Sequence, residues 1–456
     1  MNNNWEKGFH AWMLTSLERM KSPSSYRNFS NYIRIQNKSL DEILTLNWEK
    51  RKRLLVYSFQ TIPFYRTSFM SAGIQQRDLV NPEVWSFIPI LSKRDIVEHF
   101  DMLKKPGLTT EECYISVTGG STGQPLKVLH DASFQHNALG WRMLKWWGLP
   151  PGTDEGRIWR FSPTPTPLPW RSVVKKYVPA LKKHVVRLDA SYMDNDSIQT
   201  FITEWNIVRP PLLTGYVGAV HHVACFIQQH GLRVHQPQAV WVTSAPLSTG
   251  YRAIIENAFQ APVYDQYGSC EVYWLAAECR CRHGLHMFVD ARYLEFVTEA
   301  GKPCPPDVFG RILVTDLENM VFPLIRYEIG DIGRQLSRTC TCGVNLPLMD
   351  AVKGRISDKI KLKDGSVVSG EYLTTIFDDY PGVVNAFQIR QCADYSIKIR
   401  VVPNTQCGQL KDIVQRVQAA LVTKIRAQVP VDVVYVDDIP ANCGKTRYVV
   451  SEVPVE

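Results

Sequence analysis

After about residue 353 the hydrophobic pattern of this chain changes period twice within a hundred residues. Ile397, Ile399 and Val401 alternate as in a strand. Leu410, Ile413, Val414, Val417 and Leu421 recur at helical spacing, and Val429, Val431 and Val433 alternate again. Strand, helix and strand in so short a stretch specify a small α+β domain. The boundary is expected near Lys353-Gly354, which leaves a large N-terminal region, 1–352, and a small C-terminal domain, 353–456. A chain of 456 residues is too long for a single core, so more than one lobe is required in any case.

Composition narrows the class. Hydrophobic residues make up 45% and charged residues 21%, as in a soluble globular protein. No apolar run approaches the ~18–20 residues of a membrane span, so no membrane partner is expected. The segment Met1–Met20 lacks the basic-then-apolar order of an export signal, so a cytoplasmic location is expected. Eleven cysteines would then stay reduced, buried or holding a metal. The net charge of +8 would favour nucleic acid only if it were concentrated on one face. The single dense run, Lys50-Arg51-Lys52-Arg53, falls inside an expected helix, so nucleic acid is not expected. An enzyme that handles anions is the plainer account.

Local signals place several elements. Residues 39–61 read as a helix opened by a Ser39/Glu42 capping box and stopped by Pro63. Residues 113–117 read as a strand that runs into a Gly/Ser/Thr loop. The proline-rich stretch Ser162–Trp170 reads as a surface loop, and 239–244 and 310–315 as strands.

Five short motifs follow one another. The first is Thr118-Gly119-Gly120-Ser121-Thr122-Gly123, with Lys127 just downstream. Glycines let backbone approach an anion, and hydroxyls and N–H groups donate to phosphate oxygens. It is not a P-loop, because no Gly-Lys-Ser/Thr follows at the required spacing. Alone it could equally be a polar turn. The second is Tyr264-Asp265-Gln266-Tyr267-Gly268-Ser269-Cys270-Glu271, an aromatic ring and a carboxylate around a glycine turn. The third, Arg326 to Asp331, ends in Gly330-Asp331, whose carboxylate can accept two hydrogen bonds. The fourth runs from Gly354-Arg355 through Ser357-Asp358 to Asp364-Gly365. The fifth is Gly444-Lys445-Thr446-Arg447. Each is weak alone.

In this order and spacing, together with Ile62-Pro63-Phe64-Tyr65-Arg66 and Ile88-Pro89-Ile90-Leu91-Ser92-Lys93, the chain resembles the adenylate-forming (ANL) superfamily. It is most similar to the phenylacetate–CoA ligase and CapK-like branch. The resemblance implies an α/β fold, with a large N-terminal adenylate-forming lobe and a small, mobile α+β C-terminal domain. It implies that Thr118 to Gly123 hold the ATP phosphates with Lys127 nearby, and that Ser244 and Ala245 lie beside adenine and the acid. It implies that Tyr267, in the Gly268-Ser269 turn, stacks on adenine and Glu271 binds Mg²⁺. Asp331 would hold the ribose hydroxyls, and Arg355 would support the nucleotide. Lys445 would reach the carboxylate and α-phosphate, so Lys445 and Glu271 are the expected catalytic residues. Tyr216, Ala245 and Tyr264 would shape the acid pocket, with the active site between the large lobe and the small domain. A hinge is expected at Ser357, where relatives usually carry Asp.

Cys279, Cys281, His283 and His286 fall together, and Cys340 and Cys342 follow about 60 residues later, a zinc-like set. The resemblance implies Cys279, His286, Cys340 and Cys342 as ligands, with Cys281 and His283 in reserve. Reduced thiols at a surface turn are the plain alternative. Cys113, Cys225 and Cys392 read as small hydrophobes, Cys270 as a bystander, His221-His222 as helix, and Trp141, Trp146 and Trp147 as packing.

The expected function is AMP-forming activation of a small carboxylic acid, aryl or related, with transfer of the acyl group to coenzyme A. Transfer to an amine or hydroxyl acceptor is the rival, favoured by Lys363-Asp364-Gly365-Ser366 where phenylacetate–CoA ligases carry Arg-Gly. A non-catalytic nucleotide-binding relative is the third reading, and the presence of Lys445, Glu271 and Asp331 speaks against it.

Overall fold

The computed structural model describes residues 4–118, 126–133, 137–161, 183–190, 193–355, 360–364, 367–368, 373, 376–377, 380, 383–405, 407–439 and 448–453. The chain divides into two compact units. One gathers Met1–Leu17, Leu149–Asp265 and Lys353–Glu456, and the other Glu18–Gly148 and Gln266–Val352.

The first unit holds a parallel sheet. Its strands are Glu155–Trp159, Val185–Asp189, Leu212–Tyr216 and Ala239–Thr243, and the chain leaves the unit partway along a further strand, Val263–Ser269. Glu155 pairs with both Val185 and Leu212, and Leu212 pairs with Ala239, all in parallel register. Helices follow the strands Val185–Asp189, Leu212–Tyr216 and Ala239–Thr243, and the inner two of these strands are buried on both faces and read as apolar runs such as AVWVT. Asn195–Val208 is capped by Asp194, which accepts from Ser197 N–H, and Val217–Gln229 follows Leu212–Tyr216 directly. Thr249–Phe259 is capped by Ser248, which accepts from Tyr251 N–H. Ile158, Leu213, Val220, Val240, Ile255 and Phe259 form the centre of the core.

Residues 360–449 bury a core of their own. Val384–Gln391 and Ile397–Pro403 pair antiparallel, Val431–Tyr435 joins parallel to the second, and Val449–Ser451 joins parallel to the first. Ile397, Ile399 and Val401 all point inward, against Ile413, Val414, Val417 and Leu421 of the helix Leu410–Lys424. Val429 is buried but precedes its strand, which begins at Val431.

In the second unit the helix Leu40–Thr61 carries the Ser39/Glu42 capping box, with both reciprocal bonds present. Pro63 does more than end it. Ile62 closes one helix and opens the next, Pro63–Ser71, where proline takes the first position, whose N–H needs no partner. The basic run on Leu40–Thr61 is dispersed by its surroundings. Lys50 pairs with Glu318, Lys52 pairs with Glu49, and Arg51 lies 3.9 Å from the Tyr293 ring centroid. Trp141, Trp146 and Trp147 are buried, and the indole of Trp147 donates to the Glu278 carbonyl. A meander of Arg292–Val297, Gly310–Asp316 and Tyr327–Gly333 and the antiparallel run Tyr273–Glu278, Leu285–Met287 and Leu348–Met349 supply the sheets. Fully buried Arg142–Asp290 and Arg292–Asp316 pairs, at 2.6 and 2.7 Å, hold this core. No helix among the described residues is long and apolar enough to cross a membrane.

Candidate active site

Within the second unit, the chain emerges from Val263–Ser269 into a tight turn. Gly268 is required there because any Cβ would collide with the Tyr273 carbonyl of the returning strand. Ser269 Oγ accepts from the N–H groups of Glu271 and Val272, at 3.2 Å each, which fixes the turn. Glu271 is buried, and the Tyr327 hydroxyl donates to it over 3.4 Å. The Tyr267 hydroxyl donates to Asp331 Oδ2 at 2.8 Å. An aromatic ring and a carboxylate from motifs more than sixty residues apart are therefore locked in one geometry.

The strands flanking the Gly/Ser/Thr loop are anchored to the same turn. Cys113–Thr118 and Leu126–Asp131 form an antiparallel hairpin with Thr118 opposite Leu126. His130 Nε2–H donates to the Cys270 carbonyl at 3.0 Å, and Ser116 and Tyr273 share a hydroxyl hydrogen bond at 3.0 Å. Burial drives the His130 pKa down to about 4, so it is a neutral structural post. Lys127 is exposed on this hairpin. Gly119, Gly120, Ser121, Thr122 and Gly123 lie outside the described residues, as do Ser357, Asp358 and Lys445. Thr118 and Arg355 are placed by their backbones, each in a strand.

Gly330 adopts φ +88°, the left-handed turn that glycine tolerates. The Lys93 ammonium stands 3.8 Å from where a Cβ on Gly330 would lie. Lys93 begins the helix Lys93–Glu98, capped by Ser92 and Asp95, while Leu91 bridges to Tyr327. Sequence reasoning noted this segment but gave Lys93 no role.

In the first unit, Trp159, Tyr216 and Thr243 end three neighbouring parallel strands. The chain steps from Glu155–Trp159 to Val185–Asp189 on one side, then returns to Leu212–Tyr216 on the other. The carboxyl edge between the first and third of these is a topological switch point, where open α/β sheets bind ligands. The Trp159 and Tyr216 rings meet there, with centroids 4.3 Å apart. Ser244 follows Thr243 with φ +74°, a conformation that costs a non-glycine residue of order 1 kcal/mol and marks functional turns. Ala245 packs half-buried against the core, and Tyr264 is buried one residue into its strand. Trp159 was missed because a lone tryptophan carries no motif; only the strand order makes it Tyr216's partner.

Cys279, His286, Cys340 and Cys342 place their ligand atoms within 4.8 Å of one another. Leu348 pairs with His286, which brings the Cys340–Cys342 loop back to the earlier cysteine. Cys342 Sγ lies 3.3 Å from His286 Nε2, and Cys279 and Cys340 sulfurs are 3.6 Å apart. His286 Nδ1–H donates to the Leu346 carbonyl at 3.0 Å, which turns the Nε2 lone pair to the thiols. Burial pushes the Cys279 thiol up and the His286 imidazole down to about 4. Cys281 and His283 do not bring a ligand atom into this group; the Cys281 thiol lies 3.9 Å from the Thr341 hydroxyl.

Residues 360–452 match the CapK C-terminal domain family. The phenylacetate–coenzyme A ligase of Thermus thermophilus is 22% identical over 360 residues, 76% of this chain and 78% of that enzyme. Protein CapK of Staphylococcus aureus is 22% identical over 278 residues, 58% of each chain. The crystal structure of 2-hydroxyisobutyryl-CoA ligase in its postadenylation state superposes with a TM-score of 0.69, at 18% identity, over 92% of this chain and 91% of that one. With its C-terminal segment, its sequence relatives and its α/β fold in agreement, the chain is similar to the adenylate-forming ligases, on the side of the phenylacetate–CoA ligases and CapK.

Proposed function

We propose that this protein activates a small carboxylic acid with ATP, as an acyl-adenylate, and passes the acyl group to coenzyme A. The observation that carries the reading is the 2.8 Å hydrogen bond from Tyr267 to Asp331. It sets a flat aromatic face and a two-oxygen acceptor at one fixed separation, which suits a purine and its ribose diol. The Thr118–Gly123 loop and Lys127 would cradle the phosphates, tied by the hairpin to the turn that carries Glu271. Glu271 is a buried carboxylate suited to Mg²⁺, which offsets phosphate charge when bound.

Trp159, Tyr216, Ser244, Ala245 and Tyr264 supply an aromatic lining for an aryl or related acid. Residues 353–456 act as the mobile domain, with Arg355 supporting the nucleotide. Lys445 screens the repulsion between the acid's carboxylate and the α-phosphate. One carboxylate oxygen attacks the α-phosphorus and pyrophosphate leaves. The thiol of coenzyme A then attacks the acyl carbon, losing its proton to solvent as AMP departs. The Cys279, His286, Cys340 and Cys342 set fits structural zinc. The two contacts measured, 3.3 and 3.6 Å, are close to the ~3.3–3.8 Å edges of a tetrahedral Cys/His site built from ordinary Zn–S and Zn–N bonds. Zinc would hold the Cys340–Cys342 loop to the strand Leu285–Met287. A reducing compartment such as the cytoplasm belongs to this reading, because the three thiols must stay reduced.

The test is pyrophosphate exchange into ATP over a panel of aryl, alkyl and hydroxy acids. No exchange with any acid would defeat adenylation. Transfer to an amine or hydroxyl is the second reading, favoured by Lys363-Asp364-Gly365-Ser366 where phenylacetate–CoA ligases carry Arg-Gly. Preformed acyl-adenylate offered coenzyme A or amines, with products followed by mass spectrometry, separates the two.

A further inference from the structure

We propose that Gly250 is a positioning residue: its missing side chain is the socket into which the bulged Asn385 of the C-terminal domain docks, and this pose serves one of the two half-reactions. The inference rests on the reading that residues 353–456 move.

Gly250 sits in the first turn of Thr249–Phe259, five residues beyond Ala245. Its φ is not in the left-handed range, so its backbone does not call for glycine. Within a helix glycine is unfavourable by about 0.5–1 kcal/mol against alanine. The reason for it lies outside the helix. A Cβ here would stand 2.6 Å from Asn385 Cα and 2.9 Å from its carbonyl oxygen. Asn385 occupies the register break of Val384–Gln391, between Val384 and Ala386, so the bulge pushes this one residue out of its sheet. Its side chain donates to the Pro403 carbonyl at 3.2 Å, which stiffens the bulge.

Ser248 completes the contact. Its hydroxyl accepts from Tyr251 N–H at 3.1 Å as a helix cap and donates to the Asn385 carbonyl at 2.9 Å. Around this polar point Ala386, Val402, Val436 and Ile439 of the C-terminal domain pack into the core of Leu149–Asp265, and the rest of that domain keeps its separate core. Its fixed point follows the strained Ser244 within six residues, so docking bears directly on the turn beside the proposed acid pocket.

The experiment compares wild type, Gly250→Ala, Gly250→Val and Ser248→Asp, with Ser248→Thr as the conservative control. Alanine favours the helix, so a loss in Gly250→Ala cannot come from a weakened helix. Asp at 248 keeps the cap acceptor and removes the donor to Asn385. Hydrogen–deuterium exchange in the full chain is read over 384–390, 217–224, 397–401 and 410–424. The first two segments should lose at least tenfold protection in the Gly250 and Ser248→Asp variants, and the last two should keep theirs. Pyrophosphate exchange and acyl transfer from preformed adenylate are measured separately. One should fall at least tenfold and the other stay within about twofold, with Ser248→Thr close to wild type in both. Unchanged exchange at 384–390, or an equal loss of both half-reactions, would overturn the proposal. The deuterium readout needs no substrate, so absence of ligase activity would defeat the functional reading and leave the docking test standing.

Discussion

Tyr267→Phe removes one oxygen and keeps the ring, so it isolates the hydrogen bond that joins two distant motifs. The bond is 2.8 Å long, its acceptor is an aspartate, and Asp331 is buried. Hydrogen bonds to charged groups contribute about 1.5–3 kcal/mol, which sets the ceiling. Asp331 would regain part of this from ribose hydroxyls once nucleotide is bound, so the net loss in kcat/KM for ATP should be about 1–2 kcal/mol. That is roughly a five- to thirtyfold fall. It should appear chiefly in KM for ATP, with KM for the acid little changed, because the pair orients the nucleotide and not the acid. Asp331→Asn should cost at least as much. The discriminating measurement is the double-mutant cycle in pyrophosphate exchange. If the two side chains act as one unit, the combined variant falls short of additivity by about 1 kcal/mol or more. Additive losses within about 0.5 kcal/mol would refute the argument that the tyrosine works through the aspartate.

Other consequences follow from the same geometry. Lys445→Ala should slow pyrophosphate exchange by roughly a hundredfold or more, since one charge contact in a transition state is worth a few kcal/mol; unchanged exchange would remove Lys445 from the chemistry. Purified protein should carry about one zinc per chain, and Cys340→Ser should lose both metal and thermal stability; metal-free wild type prepared without chelators would end that reading. Burial holds His130 and His221 at about 4 when folded, below the ordinary histidine value near 6.5. Between these pH values the unfolded chain binds more protons, so stability is full above about pH 6.5 and is lost as pH falls toward 4. Each histidine contributes up to about 3 kcal/mol by this route; denaturant titrations at pH 5 and 7.5 should show less slope in His130→Asn, and an identical slope would refute it.

What the sequence determined by itself was everything set by near neighbours along the chain. The Ser39/Glu42 box is a four-residue pattern, and both of its bonds form. Ile397, Ile399 and Val401 alternate because a strand turns successive side chains to opposite faces, and all three are buried. The resemblance to adenylate-forming enzymes was legible because its motifs are short runs of neighbouring residues in a fixed order. The tertiary structure decided which separated residues meet. Four sulfur and nitrogen donors were chosen from six candidates by the pairing of Leu348 with His286, and that register depends on side chains far from either cysteine group. Trp159 meets Tyr216 only because the strand order places their two strands side by side. Gly250 looked like a weak point in a helix until Asn385 was seen to occupy the space where a side chain would stand. Pairing register and close backbone approach arise from packing over the whole chain, and no window of neighbouring residues contains that information.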